Sequence, residues 1–165
     1  MVNAAENGMP TFARLHPEHA AIMHRLEKSC FSLPWNEAQC RSALSQTSFG
    51  AYGLWQNTDL LAYVSFYHAA GEMEIANLAV APEQRRKGLG RLILSALLQA
   101  AAKMGIEKVL LEVRAGNSAA LSLYRQAGFH QAGLRKKYYP DTGEDGFILI
   151  YNINQERPGV MTCKR

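Results

Sequence analysis

Gln84-Arg85-Arg86-Lys87-Gly88-Leu89-Gly90-Arg91 decides how this chain is read. Immediately before it, Glu74-Ile75-Ala76-Asn77-Leu78-Ala79-Val80 has the pattern of a strand. Immediately after it, Leu89, Leu92, Ile93, Ala96, Leu97, Ala100 and Met104 recur at helical spacing. A basic, glycine-containing turn therefore opens a helix. Such a turn exposes unpaired N–H groups at the positive end of the helix dipole, a ready site for phosphate. Glycine lets a ligand approach the backbone closely, and the adjacent cations add charge. The turn lacks the Lys-Ser/Thr ending of a P-loop, and Ile93 stands where a dinucleotide fingerprint needs its third glycine. What remains is Arg85-x-x-Gly88-x-Gly90, a cradle for a polyanionic ligand. The plain rival is a solvated basic turn. The cationic run is too short for a nucleic-acid patch.

The rest of the composition narrows the setting. A chain of 165 residues, 48% of them hydrophobic, is enough for one domain with a sizeable core. No apolar run is long enough to span a bilayer, and Met1 to Glu6 carry neither a cationic leader nor an apolar segment, so no membrane partner is expected. The three cysteines, Cys30, Cys40 and Cys163, form no Cys-x-x-Cys pair, which fits reduced thiols in a cytoplasmic protein. The net charge of +4 suits an anionic cofactor or a ribosome-associated target, and falls short of a nucleic-acid footprint. The expected organisation is a disordered extension over residues 1–9, one domain over 10–153 and a mobile tail over 154–165.

Along the chain, Pro10 to His16 reads as a strand and Pro17 to about Ser29 as a helix with proline in its first turn. Phe31 to Trp35 is a loop, and Asn36 caps a helix reaching about Ser45. Ser48 to Trp55 and Leu60 to His68 form a hairpin about the polar turn Gln56-Asn57-Thr58-Asp59, followed by a strand from Glu72 to Ala81. The long helix runs from about Gly88 to Met104 and closes at Gly105. Ile106 to Val113 is a strand, Asn117 to about Ala127 a shorter helix, and Phe129 to Lys137 with Gly146 to Asn152 a closing pair of strands. The fold class is α/β, a mixed central sheet of antiparallel start and parallel centre with helices on its faces. A right-handed crossover between Glu72 and Val113 puts the glycine turn at the carboxyl end of its strand, where open α/β sheets bind ligands.

Two residues stand out as acid–base candidates. Glu112 interrupts the apolar strand Val109-Leu110-Leu111-Glu112-Val113-Arg114. A carboxylate there must reach a pocket or find a partner, with Arg114 the nearest candidate on the same face. Tyr124 follows Asn117 by seven residues, about two helical turns, so the two face the same way. By spacing alone, Tyr124 is an ordinary core tyrosine and Asn117 a helix cap.

Asn77-Leu78-Ala79-Val80, Pro82, Gln84-Arg85-Arg86-x-Gly88-x-Gly90-Arg91, Leu111-Glu112-Val113-Arg114-Ala115-x-Asn117, Ala120-Leu121-x-Leu123-Tyr124, Gly128-Phe129 and Tyr138-Tyr139-Pro140 occur in one order and spacing. In that order they resemble the GCN5-related N-acetyltransferases (GNAT), and within them the bacterial ribosomal-protein-alanine N-acetyltransferases. Phe31-Ser32-x-Pro34-Trp35 and Glu144-Asp145 extend the likeness. The resemblance implies acetyl-CoA as acetyl donor, with no metal. It implies that Leu78, Ala79 and Val80 offer backbone groups to the acetyl and pantetheine portion, and that Arg86, Lys87, Gly88, Leu89, Gly90 and Arg91 surround the pyrophosphate. Asn117 would also contact the cofactor. Glu112 is then the proton acceptor, directly or through water, and Tyr124 the proton donor. Tyr138 and Tyr139 wall the acceptor channel. Gly116 stands where the family commonly has serine, a departure that would loosen the Asn117 turn.

The expected reaction is direct acetyl transfer to a protein N-terminal α-amine, with the alanine of a small-subunit ribosomal protein implied by the resemblance. A small amine, a lysine side chain, an aminoacyl-tRNA, or a non-catalytic acyl-CoA-binding role are the alternatives. Glu72 and Glu74 read as a solvated strand edge, and Cys30 and Cys40 as buried thiols. His16, His19 and His24 lack metal-ligand spacing.

Overall fold

Residues 8–153 are described by the computed structural model, and the structure is one seven-stranded sheet flanked by helices. The tail at 154–165 with Cys163, and residues 1–7 of the expected extension, lie outside the described residues. In chain order the elements are β1 (Thr11–Arg14), α1 (Ala20–Cys30), α2 (Glu37–Leu44), β2 (Phe49–Gln56), β3 (Asp59–Ala69), β4 (Glu72–Val80), α3 (Leu89–Lys103), β5 (Lys108–Arg114), α4 (Ser118–Gln126), β6 (His130–Tyr139) and β7 (Glu144–Asn152). Short 3-10 turns at Pro17–His19 and Pro82–Gln84 precede α1 and the glycine turn.

The sheet order is β1-β2-β3-β4-β5-β7-β6. Each neighbouring pair is antiparallel except β4 and β5, which run parallel over only four residue pairs, Glu72 with Lys108 to Ile75 with Leu111. Beyond Ile75 the two central strands part. The expected antiparallel start and parallel centre are present, but the parallel part is a short stem below a fork.

The fork has a local cause. Against β3 the register passes from Ile75 opposite Phe66 to Asn77 opposite Ser65, so Ala76 is an extra, bulged residue. A bulge bends its strand and reverses the inside–outside alternation beyond it. Met73 and Ile75 accordingly join the core beneath α3 and α4, whereas Ala79, three pairs beyond Ile75, joins the core beneath α1 and α2. One core holds Ile93, Leu94, Leu97 and Ala101 of α3 and Leu121 and Tyr124 of α4 against the sheet. The other holds Ala20, Met23 and Leu26 of α1 and Cys40 and Ala43 of α2 against Phe49, Ala51 and Tyr63. Helices thus cover both faces.

Several boundaries differ from the sequence expectation. The expected first helix opens as the 3-10 turn, and the α-helix begins at Ala20. The first strand shrinks to four residues. Ile106 and Glu107 form a connector tied to the preceding hairpin by the Glu107 N–H to Gly71 C=O bond, and β5 begins at Lys108. The last two strands are longer than expected, reaching Tyr139 and Glu144. β7 lies between β5 and β6, leaving β6 as a charged edge with Arg135, Lys136 and Lys137.

Candidate active site

The glycine turn follows the end of β4, on the open side of the fork beyond the last parallel pair. Gly88 is the N-cap of α3 at φ 82°, a left-handed conformation that glycine adopts without strain. The first helical bond runs from the Leu92 N–H to the Gly88 C=O. The N–H groups of Leu89, Gly90 and Arg91 precede it and have no helical carbonyl to donate to. Arg86 also sits at positive φ, 62°. A cleft of about 450 Å³ faces these groups, lined by Val80, Arg86, Gly88, Gly90, Arg91 and Ser122 among others. Arg91 donates to Gln126 of α4 at 2.8 Å, and Arg85 turns its Nε back to the Val80 C=O at 3.2 Å. Lys87 does not line the cleft; its ammonium donates to Gln84 at 3.1 Å. A larger groove of about 670 Å³ runs between α3 and α4 and shares Arg91, Leu123 and Gln126, but no residue of β4 or β5 borders it.

The inner edge of β4 is the fork's second feature. The Ala81 N–H donates to the Leu61 C=O, so Ala81 and Leu61 form a hydrogen-bonded pair. By the alternation of an antiparallel ladder, Ala79 also spends its backbone groups on β3, while those of Leu78 and Val80 point away from it. On that side β5 has diverged. Of the three residues expected to offer backbone groups, Leu78 and Val80 have theirs turned away from β3, and Ala79 is buried and bonded inward. The Val80 carbonyl receives Arg85 and the Cys30 thiol, leaving its N–H and both groups of Leu78 toward the opening.

Glu112 occupies the opposite prong. Along β5, Val109, Leu111 and Val113 are buried while Lys108, Leu110, Glu112 and Arg114 face the other way, the α1 side of the sheet. Arg114 is not its partner. The guanidinium of Arg114 is bidentate to Asp141, donates to Thr142 and lies 4.0 Å from the Tyr139 ring centroid, stapling the β6–β7 turn to the end of β5. Glu112 instead meets Arg135 of β6 at 2.8 Å and accepts a hydrogen bond from Tyr138. That bond and the carboxylate charge hold the Tyr138 phenol above its ordinary range. Tyr138 and Tyr139 stand edge to face, 5.2 Å apart, beside it.

Tyr124 is buried at 7% exposure, with its ring edge-on to Phe129. Burial raises its pKa from the ordinary 10.0 to about 12, which keeps the phenol protonated and able to donate at neutral pH. Asn117 does not share that environment. It is exposed and caps α4, its Oδ1 accepting the Ala120 N–H at 3.1 Å.

Gly116 lies close under the Glu144 carboxylate. Its N–H donates to Glu144 Oε2 at 3.0 Å, and a Cβ would fall 2.6 Å from that same oxygen. The turn before Asn117 is therefore held by Glu144 rather than loosened.

Sequence reasoning passed over Glu27. It lies on the inner stripe of α1 with Ala20, Met23 and Leu26, only 1% exposed. Its carboxylate accepts from the Tyr63 hydroxyl, from Asn77 Nδ2 at 3.2 Å and from the Trp35 N–H at 3.0 Å. The signal was legible: a carboxylate on an otherwise apolar helical stripe needs partners.

A forked sheet with a glycine-capped helix following its parted strand is the frame of an acyl-CoA transferase. The family description "Acetyltransferase (GNAT) family" matches residues 20–129. The chain belongs to this family and is an N-acetyltransferase. Among its relatives is the [ribosomal protein bS18]-alanine N-acetyltransferase of Escherichia coli strain K12, 32% identical over 148 residues, covering 88% of this chain and 99% of that one. The crystal structure of the ribosomal-protein-S18-alanine N-acetyltransferase from Escherichia coli superposes with a TM-score of 0.83 at 30% identity, over 92% and 99% of the two chains. Arabidopsis thaliana NAA60 in complex with acetyl-CoA shares the fold at a TM-score of 0.77 and 14% identity, over 88% and 99%. Among the described residues, no helix is long and apolar enough to cross a membrane.

Proposed function

We propose that the protein transfers acetyl from acetyl-CoA to the α-amine of a protein N-terminus, the alanine of ribosomal protein bS18 being the first acceptor to try. The observation that carries this reading is the fork. Two strands part after four pairs, one prong carries free backbone groups at Leu78 and Val80, and the other carries Glu112. The names of the relatives supply the acceptor.

The chain's groups fit acetyl-CoA. Its diphosphate is received by the N–H groups after Gly88 and by Arg86 and Arg91, with Leu89 and Gly90 forming the wall of that cleft. Lys87 adds long-range charge. The extended pantetheine arm meets the Leu78 and Val80 edge as an added strand would. Asn117 borders the far side of the turn.

The amine attacks the thioester carbonyl and forms the new C–N bond as the C–S bond breaks. Glu112 takes the proton the amine must shed, directly or through one water. Tyr124 gives its proton to the departing sulfur as the C–S bond breaks, its phenol being protonated at neutral pH. Tyr138 and Arg135 hold the Glu112 carboxylate in place and flank the acceptor's path. The reaction is placed in the cytoplasm, where ribosomal proteins are made.

Incubation of the purified chain with acetyl-CoA and a peptide beginning with alanine tests the reading by mass spectrometry. The expected product is a peptide carrying one acetyl group on its α-amine. Acetyl on a lysine side chain alone, or no transfer despite acetyl-CoA binding, would refute it.

A further inference from the structure

The bulge at Ala76 does more than open the fork. Because it reverses the alternation of β4, the Asn77 side chain leaves the α3 face, where Met73 and Ile75 lie, and projects to the α1 side. Glu112 projects to that same side from β5. The last parallel pair is Ile75 with Leu111; Glu112 is the next residue on β5 and Asn77 the second on β4. The two polar side chains therefore flank, on one face, the point where the strands begin to part. Both are half-buried.

Glu27 decides which end of the Asn77 amide faces the fork. A carboxylate accepts and does not donate, so the bond it makes is with Nδ2. The Oδ1 atom, with no partner among the described residues, is turned away from it. Glu27 is itself immobilised by Tyr63 and by the Trp35 N–H, and the Trp35 carbonyl lies 2.6 Å from His24 Nδ1 of the same helix. Ser65, directly opposite Asn77 on β3, holds a buried hydroxyl with no partner among the described residues. Protein groups alone leave hydrogen bonding unfinished at this spot.

We infer that Asn77 is an acceptor-binding residue: its Oδ1, aimed by Glu27, receives one N–H of the acceptor amine while Glu112 receives the other. Glu27 is the positioning residue of the pair. This rests on the acetyl-transfer reading above. A neutral primary amine has two N–H groups and satisfies both acceptors. A secondary amine has one and satisfies Glu112 alone. The site should therefore select primary amines.

The test compares a peptide beginning with alanine against the same peptide beginning with N-methylalanine, in the wild type, Asn77→Leu and Glu27→Gln. In the wild type, kcat/KM favours the primary amine by about tenfold or more, the worth of one hydrogen bond to a polar partner. In Asn77→Leu that preference collapses, KM for the alanine peptide rises, and calorimetric affinity for acetyl-CoA is unchanged. Glu27→Gln lowers the preference in the same direction, because its amide cannot accept all three donors. The ratio is read on whatever folded enzyme each variant yields, so a loss of folded protein does not mimic the result. An undiminished preference in Asn77→Leu, or no preference in the wild type, overturns the assignment. Absence of any amine acetylation by the wild type would overturn the functional reading as well, which tells the two failures apart.

Discussion

Glu112 and Arg135 are ion-paired at 2.8 Å across an intervening strand: Glu112 lies on β5, Arg135 on β6, and β7 runs between them. Gly146 of β7 is the register partner of Arg135, and Tyr138 and Tyr139 lie over it, within 3.4 Å of where a Cβ would stand. The absent side chain lets both tyrosines settle beside Glu112.

Replacing Arg135 by alanine should separate stability from turnover. The pair is half-exposed on the arginine side, so its loss should change unfolding free energy by less than about 1 kcal/mol. Peptide kcat/KM should fall by more than that implies, because the carboxylate loses its anchor. Glu112→Gln should lower kcat by about 10²-fold or more and leave acetyl-CoA affinity intact. Wild-type kinetics for the glutamine variant with a peptide amine would remove Glu112 from the reaction.

Tyr124→Phe deletes only a hydroxyl that has no partner among the described residues. Thermal stability should therefore change little, while kcat falls by about tenfold or more. Weakened acetyl-CoA binding with normal turnover would point to a packing role.

The two glycines of the turn before α3 should respond differently to alanine. Gly88 is at φ 82°, where a Cβ is strained by about 1–2 kcal/mol, so the variant should bind acetyl-CoA markedly more weakly by calorimetry. Gly90 is helical, and its added Cβ would meet Leu123 at an ordinary 3.4 Å. Gly90→Ala should fold normally, so any affinity it loses reports the ligand's approach to the backbone.

Gly116→Ser should destabilise the protein by no more than about 1 kcal/mol, because the flexible, partly exposed Glu144 carboxylate can swing aside at the cost of its hydrogen bond to the Gly116 N–H. Adding Glu144→Ala should recover part of that loss. A double-mutant cycle by urea unfolding measures the coupling, and strict additivity would deny the contact.

Alkaline stability should fall in two stages. Burial, with the nearby Glu27 charge, raises the Cys40 pKa from 9.0 to about 11, and burial raises that of Tyr124 from 10.0 to about 12. A group that binds its proton more tightly when folded contributes stability fully below its unfolded pKa. That contribution drains away as pH rises toward the folded value. At about 1.4 kcal/mol per pH unit, each group contributes up to about 3 kcal/mol. Urea unfolding between pH 8 and pH 12 should show the loss begin near 9 in the wild type and near 10 in Cys40→Ala. A flat profile through that range would contradict both shifts.

The local chemistry of the glycine turn was open to reading along the chain. Gly88 and Gly90 before a 3.6-residue apolar pattern specify a glycine-opened helix wherever it is placed, and Asn36 and Asn117 cap the helices they precede. The Asn57-Thr58 turn and the isolated Glu112 in an apolar strand are equally local. Arg114 was the wrong partner for Glu112 because proximity along a strand says nothing of which neighbouring strand supplies a better geometry. Arg135 comes from two strands away.

The sequence by itself determined the helices, the strands and the glycine turn, because those follow from side-chain period, capping and the freedom of glycine over a few residues. Only the tertiary structure decided that β7 would slot beside β5, that one bulged residue at Ala76 would part the central strands, and that Glu27 would reach Asn77, fifty residues along the chain. Those are contacts between distant segments. Their energies depend on register and burial that no short window of residues contains.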